Sequence, residues 1–134
     1  LQTAVYAASV TLMPFAYAAE PTVATVGTSY TAITNSGTVY SAPEIRLTPS
    51  AAGEIVIDTN GSAFTLTIPA ELTSKELIID SDAEVTYYMD GEDKVSVNYR
   101  TKGSYPLLHM GDNYIKYSGS VTGSVTINER ERWL

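Results

Sequence analysis

The chain lacks cysteine and holds a single histidine, His109, among its 134 residues. Without cysteine there is no disulfide framework, thiolate zinc site, iron–sulfur cluster or cysteine nucleophile. Basic residues are also scarce, since 8 Lys and Arg stand against 15 Asp and Glu, for a net charge of −7. Nucleic acids and anionic membrane surfaces bind to clustered Lys and Arg. The composition therefore argues against both partners, and it predicts neither a cofactor nor a bound transition metal.

Long apolar runs are missing as well, since no stretch approaches the roughly 18 apolar residues of a membrane span. The apolar segment from Ala7 to Ala19 is interrupted by Pro14, and no Lys or Arg precedes Arg46. A secretory signal needs a basic start, so the segment does not fit one, and the alternation from Tyr6 to Leu12 predicts a strand instead. The chain begins at Leu1 rather than Met, which favours a fragment of a longer protein. Its length predicts one domain, residues 1–134.

The abundant residues are β-formers and turn-formers. Thr, Ser, Val and Ile are frequent, and ten tyrosines stand against two Phe and one Trp. Nine to eleven short strands at roughly ten-residue spacing, with at most one helical turn at Ala70–Ser74, predict an all-β fold. We expect an antiparallel β-sandwich. The predicted strands include Thr28–Thr34, Glu44–Thr48, Glu54–Asp58, Ala63–Ile68, Glu76–Asp80, Glu84–Met89, Lys94–Tyr99, Tyr114–Ser118 and Ser120–Asn128.

Two hairpins have the clearest sequence signals. Asn60-Gly61 separates two alternating segments, and both residue types accept the positive φ of a tight turn. Asp90-Gly91 is the second such turn. Strict alternation predicts a core between two sheets made of Ile55, Ile57, Phe64, Leu66, Ile68, Leu77, Ile79, Val85, Val95 and Val97.

Two acidic turns are candidate Ca²⁺ ligands, because Ca²⁺ takes six to eight oxygen atoms. They are Asp80-Ser-Asp82-Ala-Glu84 and Asp90-Gly-Glu92-Asp93, and neither has EF-hand spacing. Ordinary solvated turns are the simpler interpretation. A pair of these carboxylates for glycoside hydrolysis and a Ser-His-Asp set around His109 are the catalytic alternatives. Neither has a supporting motif, so the sequence predicts a protein that is not an enzyme.

The tyrosines and the C-terminal segment are the candidate contact surfaces. Tyr rings suit protein interfaces and sugar sites, since the ring is buried while the hydroxyl stays hydrated. The alternating charges from Glu129 to Arg132 before Trp133 indicate either an edge strand guarded by charge or an anchor for a neighbouring subunit, and an Arg over Trp133 would be a favourable cation–π pair. The predicted protein-contact residues are Tyr114, Tyr117, Arg130, Arg132 and Trp133.

Several weak motifs occur in an order that resembles a known family, the phage distal tail proteins of the siphovirus tail-component family, over their C-terminal domain. The motifs are Val10-Thr-Leu12 with Pro14-Phe15-x-Tyr17, Asn35-x-Gly37 with Pro43-x-Ile45, Gly53-x-Ile55, Leu77-x-Ile79-Asp80 with Val85 and Gly91, and Gly111-x-Asn113 with Arg132-Trp133. Met110 stands where the family more often has proline.

The resemblance implies a galectin-like or jelly-roll sandwich that serves as a structural part of a phage or prophage tail tip or baseplate. It implies localisation in the virion tail, after synthesis in the bacterial cytoplasm, and contacts with the tail tube and tail-tip hub. The family's N-terminal ring-forming domain has no match here, so we expect the fragment to be monomeric while the full-length protein forms a ring.

Two alternatives to the tail protein remain. A carbohydrate-binding module for host glycans would group exposed aromatics with Asn, Asp or Arg on a concave face, whereas structural assembly would present a flat face rich in Tyr and Thr. A secreted adhesin or pilus-like domain is the third hypothesis.

Overall fold

The structure, a computed structural model, describes a strand at residues 16–17 and the continuous segment 23–133. Strands are the dominant regular structure of these residues, as predicted. Two three-residue 3₁₀ turns, at Ala70–Leu72 and Asn98–Arg100, interrupt the strands, and in the described residues no helix is long or apolar enough to cross a membrane. The strands are β1 (Ala16–Tyr17), β2 (Val23–Val26), β3 (Thr31–Asn35), β4 (Glu44–Leu47), β5 (Gly53–Thr59), β6 (Ser62–Ile68), β7 (Leu77–Asp80), β8 (Val85–Asp90), β9 (Asp93–Ser96), β10 (Thr101–Gly103), β11 (Gly111–Ser118), β12 (Val125–Asn128) and β13 (Arg132–Trp133).

Two antiparallel sheets form the predicted sandwich. One has five strands in the order β10-β6-β5-β11-β3, and the other has six in the order β2-β12-β4-β7-β8-β9. The short strands β1 and β13 form a separate two-stranded ribbon. Strand neighbours such as β12 and β4 are far apart in the chain, so the order depends on long-range pairing that no local pattern specifies.

The core lies between the sheets. Eight of the ten predicted core residues are buried, including Phe64 and Leu66, which are 0% exposed. Val85 and Val95 are only half-buried. In β8 the inward position belongs to Thr86, which is opposite the buried Ile79 and whose hydroxyl lies 3.1 Å from that of Tyr105. Because the inward position is polar, the apolar pattern of β8 places Val85 on the inner face, and this prediction is wrong.

The Asn60-Gly61 hairpin is confirmed in register and in backbone geometry. Thr59 pairs with Ser62, and the two turn residues have φ values of 54° and 86°. These are the left-handed angles that a type I′ turn requires. The Asp58 carboxylate accepts a hydrogen bond from the Gly61 N–H at 2.8 Å, which closes the turn.

Four predicted strands differ from the structure by three or more residues at one end. The expected Tyr114–Ser118 strand is longer, since β11 begins at Gly111. The expected Thr28–Thr34 strand starts at Thr31. Before it, the chain crosses from the six-stranded sheet to the five-stranded sheet, and the Gly27 carbonyl accepts a hydrogen bond from the Tyr117 N–H. The expected Lys94–Tyr99 strand ends at Ser96. Just beyond it, the Asn98 side chain accepts a hydrogen bond from the Thr86 N–H at 2.7 Å. The Ser120–Asn128 segment is a strand only over β12. The predicted strand at Tyr6–Leu12 lies outside the described residues.

Candidate binding cleft beside the C-terminal segment

Two buried asparagines hold the loops at one end of the sandwich. The Asn113 side chain, 0% exposed, accepts a bond from the His109 N–H and donates to the carbonyls of His109 and Gly111. Asn35, 2% exposed, donates to the carbonyls of Val39 and Leu108. The two Asn motifs of the family resemblance therefore satisfy buried backbone groups, which is a structural task.

His109 is part of this scaffold and not of a catalytic set. Its backbone N–H is held by Asn113, and its exposed ring places Nδ1 3.1 Å from the carbonyl oxygen of Met110. An imidazole used in this way has a backbone carbonyl as its neighbour instead of a nucleophile.

The C-terminal segment from Asn128 to Trp133 is packed into the molecule. Glu129, Glu131 and Arg132 are 4%, 7% and 7% exposed. The Glu131 carboxylate accepts the Ser36 N–H at 2.6 Å, and Thr38 N–H donates to the Arg132 carbonyl. Gly37 lies so close that an added Cβ would collide with that carbonyl. The hypothesis of an exposed edge guarded by charge is therefore wrong, because Glu129, Glu131 and Arg132 are buried.

Arg130 occupies the first acidic turn. Its guanidinium donates to Asp80 at 2.8 Å and to Glu44 at 3.1 Å. The same Asp80 oxygen accepts the N–H groups of Asp82 and Ala83. Burial by itself would raise the pKa of Asp80, but the hydrogen bonds from Arg130 and from the two backbone N–H groups, together with the positive charge of Arg130, outweigh burial and hold that pKa below its ordinary value. The oxygen that would bind Ca²⁺ is thus committed to an Arg and two backbone donors.

The second acidic turn is a plain hairpin tip. Asp90 pairs with Asp93 across an exposed turn. In the described residues no group of three or more His, Asp or Glu side chains is placed to hold a metal ion.

A surface cleft opens beside Arg130 and Arg132. Two adjoining cavities of about 340 and 240 Å³ share Ala42, Asp82 and Arg132 as lining residues. The larger also contacts Asp80 and Arg130. The smaller also contacts Tyr40, Ser81, Glu84 and Leu107. The acidic turn, with Ser81 in it, and the arginines of this cleft are apparent from the sequence, whereas Tyr40, Ala42 and Leu107 lie in loops with no motif.

The cleft combines an aromatic ring with polar groups. The Arg132 side chain donates twice to the Tyr40 carbonyl, at 2.8 and 3.2 Å, and its guanidinium lies 4.8 Å from the centroid of the Tyr40 ring. Since neighbouring residues on a strand point to opposite faces, Arg132 does not stack on Trp133, as the sequence suggested, but on Tyr40. Tyr40 and Leu107 stay 54% and 49% exposed, so both offer apolar surface to solvent.

Ser81 adds a buried polar atom to the cleft wall. The residue is 4% exposed, and its hydroxyl has no hydrogen-bond partner among the described residues. A buried hydroxyl without a partner costs about 1–3 kcal/mol, a cost that the hydroxyls of Ser41 and Thr59 share.

Glu129 is a buried carboxylate close to a second carboxylate, that of Glu131. Its Oε1 has no partner among the described residues. Burial, together with the nearby Glu131 carboxylate, raises the pKa of Glu129 to about 7.

The predicted contact tyrosines lie on opposite faces of β11. Tyr114 is 50% exposed, on the outer face of the five-stranded sheet, whereas Tyr117 is half-buried against the core. Around Tyr114 the outer face is polar, with Tyr30 bonded to Asp58 at 2.9 Å and Thr34 bonded to Asp112 at 2.8 Å. We name this surface the Tyr114 face. Trp133 is half-buried, and its backbone pairs with Ala16.

Comparison with known proteins identifies a fold relative among solved structures. No protein-family model and no curated protein sequence matches the chain. Among solved structures, the chain is similar to the Dit protein (gp 19.1) of SPP1, described as a paradigm of the hub adsorption apparatus in phages that infect Gram-positive bacteria. The match has a TM-score of 0.72 and 16% identity, and it covers 92% of this chain and 50% of that one. The chain therefore spans about half the length of the SPP1 protein, and the two share a fold.

Proposed function

We propose that the chain is a non-enzymatic structural component of a phage or prophage tail tip or baseplate. The observation that supports this most is the likeness to SPP1 Dit over 92% of the chain. The motifs of the distal tail family support it as well, since Asn35 and Asn113 serve to hold loops together. The protein would reside in the virion tail after synthesis in the host cytoplasm, with the tail tube and the tail-tip hub as partners.

The Tyr114 face is the best candidate for the contact with these partners. It exposes Tyr30, Thr34 and Tyr114, in keeping with the Tyr and Thr expected of a surface used in assembly, and Tyr rings are enriched in protein interfaces. Of the other predicted contact residues, Arg130 and Arg132 form hydrogen bonds within the chain, and Tyr117 is packed against the core. Trp133 keeps partial exposure and remains a secondary candidate.

A tail-assembly experiment tests this role. Tyr114→Ala in the full-length protein should reduce tail assembly and infectivity while the domain stays folded, because it removes an aromatic ring from the contact. Tyr99→Ala is the matched control, since Tyr99 is 77% exposed in the 98–100 turn, away from β11. Normal infectivity of the Tyr114 variant would contradict the proposed contact.

The oligomeric state gives a second test. We expect the isolated fragment to be monomeric or weakly associated at tens of micromolar in light scattering, because stable homo-oligomers bury about 1,200 Å² or more around an apolar centre. The Tyr114 face lacks such an apolar centre. A stable hexamer would show that this domain closes a ring by itself.

Glycan binding is a second candidate function, favoured by one observation. The cleft beside Arg132 groups an exposed aromatic ring with Asp, Glu and Arg side chains on a concave surface. This is the arrangement that the carbohydrate-binding alternative requires.

A further inference from the structure

We infer that the cleft lined by Tyr40, Ser81, Asp82, Glu84, Leu107 and Arg132 binds a neutral sugar unit of a glycan. This inference gives the glycan-binding alternative a defined site and ligand class. It stands apart from the structural role, because the Tyr114 face and the cleft share no residue.

The size and lining of the cleft fit a small polyhydroxylated ligand. Small-molecule sites occupy about 300–1,000 Å³ and combine apolar walls with a few placed polar groups. The cavity that the six residues line is about 240 Å³, and the adjoining cavity of about 340 Å³ extends it into this range. Tyr40, Leu107 and Ala42 supply apolar surface, on which the C–H face of a pyranose packs.

The position of Tyr40 is fixed before any ligand arrives. Arg132 holds the Tyr40 carbonyl with two hydrogen bonds and covers the ring at 4.8 Å. Arg132 as a whole is only 7% exposed, so its side chain supports Tyr40 from a buried position. A ring that is immobilised and still 54% exposed loses little conformational entropy on binding.

Polar groups of the cleft wall suit the hydroxyls of a sugar. Ser81 is a lining residue, and its hydroxyl is buried without a partner among the described residues. A sugar hydroxyl both donates and accepts, as a serine hydroxyl does, so the two groups satisfy each other once the Ser81 side chain turns toward the cleft. The exposed carboxylates of Asp82 and Glu84 are further acceptors for sugar hydroxyls.

The charges select a neutral ligand over an anionic one. Arg130 is neutralised by Asp80 and Glu44, and Arg132 is turned to the Tyr40 carbonyl and ring. Asp82 and Glu84 leave the mouth of the cleft negative, which repels phosphate and carboxylate groups.

The test is an NMR titration of the folded chain with glucose, galactose and N-acetylglucosamine, each to about 50 mM, well above a millimolar Kd. We expect at least one sugar to shift amide signals at 40–42, 81–84 and 107. Glycerol 3-phosphate and a tri-lysine peptide serve as anionic and cationic probes. Shifts with tri-lysine and with none of the sugars would overturn the inference in favour of a basic protein segment, and shifts with glycerol 3-phosphate alone would overturn it in favour of an anion. The absence of shifts with every probe would overturn it as well.

Two pairs of variants locate the site. Tyr40→Ala should weaken sugar binding about tenfold, while Tyr30→Ala should leave it unchanged. Tyr30 is a close match, being 48% exposed with Lys116 over its ring at 4.3 Å. Ser81→Ala should weaken binding about fivefold, while Thr59→Val, which removes another unpartnered buried hydroxyl, should not. Equal effects within either pair would contradict the site.

These results are independent of the tail-assembly test. If Tyr40→Ala abolishes sugar binding and Tyr114→Ala leaves assembly intact, the glycan site stands and the structural contact fails. The reverse outcome removes the glycan site and keeps the structural role.

Discussion

The β5–β6 hairpin and the C-terminal segment at 128–133 are both tightly packed, but for opposite reasons. In the hairpin, apolar side chains alternate inward, and Ile55, Ile57, Phe64 and Leu66 are each at most 1% exposed. In the C-terminal segment the buried groups are Glu129, Glu131 and Arg132. The hairpin is stabilised by removal of apolar surface from water, whereas the C-terminal segment depends on pairing of polar groups that are costly to bury alone.

The difference shows where pH and sequence changes act on this fold. The hairpin has no titratable side chain on its inner face, so its contribution should be independent of pH. The C-terminal segment holds the Glu129 carboxylate, whose pKa is raised by burial. Substitutions that remove volume should matter in the first region, and substitutions that change charge or close approach should matter in the second.

The largest expected effect is in the hairpin. Phe64→Ala should lower the free energy of unfolding by about 3–5 kcal/mol, because it leaves a cavity in a fully buried site. Urea denaturation at pH 5 and pH 8 measures it, and the loss should be equal at both values. A loss below about 1 kcal/mol would show that the core is not closely packed there.

The next effect is a gain in the C-terminal segment. The pKa of Glu129 is about 7 against an ordinary 4.5, so the folded state binds this proton more tightly than the unfolded state does. Stability is therefore greatest below the unfolded pKa and falls as the pH rises toward 7. Glu129→Gln, neutral at every pH, should raise the free energy of unfolding by about 2–3 kcal/mol at pH 8 and change it little at pH 4.

The control for this variant is Glu54→Gln, on the exposed face of β5. It should leave the free energy of unfolding unchanged at both pH values. Equal stability of Glu129→Gln and the original chain at pH 8 would show that the Glu129 carboxylate is solvated.

Replacement of a glycine by alanine, once against the C-terminal segment and once in the hairpin turn, compares the cost of a steric collision with the cost of backbone strain. Gly37→Ala should cost about 2 kcal/mol, because the new Cβ meets the backbone of Arg132 and the 36–38 turn has to move. Gly61→Ala should cost about 1 kcal/mol, because its Cβ enters open space and the strain is only that of φ 86°. Thermal unfolding of both variants gives the comparison, and a larger loss at Gly61 would reverse it.

The smallest effect concerns the ion pairs at Arg130. Arg130→Met should cost about 1 kcal/mol at pH 7, since the pairs with Asp80 and Glu44 are only partly buried. The pKa of Asp80 is lowered in the folded state, so this contribution is present above the unfolded pKa of 3.8 and is lost as the pH falls below it. The difference between the variant and the original chain should therefore vanish in acid. A difference that persists in acid would point to lost packing instead of lost charge.

Much of the fold could be predicted because its signals are local. Alternation identified the inner faces of β4, β5, β6 and β7, and the Asn60-Gly61 pair fixed a hairpin with its register. The prediction failed where a polar residue takes an inward position, as Thr86 does, because a pattern of apolar residues cannot reveal that a hydroxyl has a buried partner in Tyr105.

Much less of the candidate site could be predicted. The acidic turn at 80–84 and the arginines at 130 and 132 stood out as charged residues, but their mutual contacts did not. Tyr114 and Tyr117 were grouped as one contact surface, although a spacing of three on a strand places them on opposite faces.

The sequence by itself determined an all-β chain, its central hairpin, most of its core and the absence of thiol chemistry. These follow from composition and from a side-chain period of two, which act over a few residues. Only the tertiary structure decided the strand order, the burial of Glu129 and the existence of the cleft. The reason is distance along the chain: Arg132 supports Tyr40 across 92 residues, and Arg130 reaches Asp80 across 50. Contacts of that span are set by how two sheets and their loops pack together, and no local pattern encodes them.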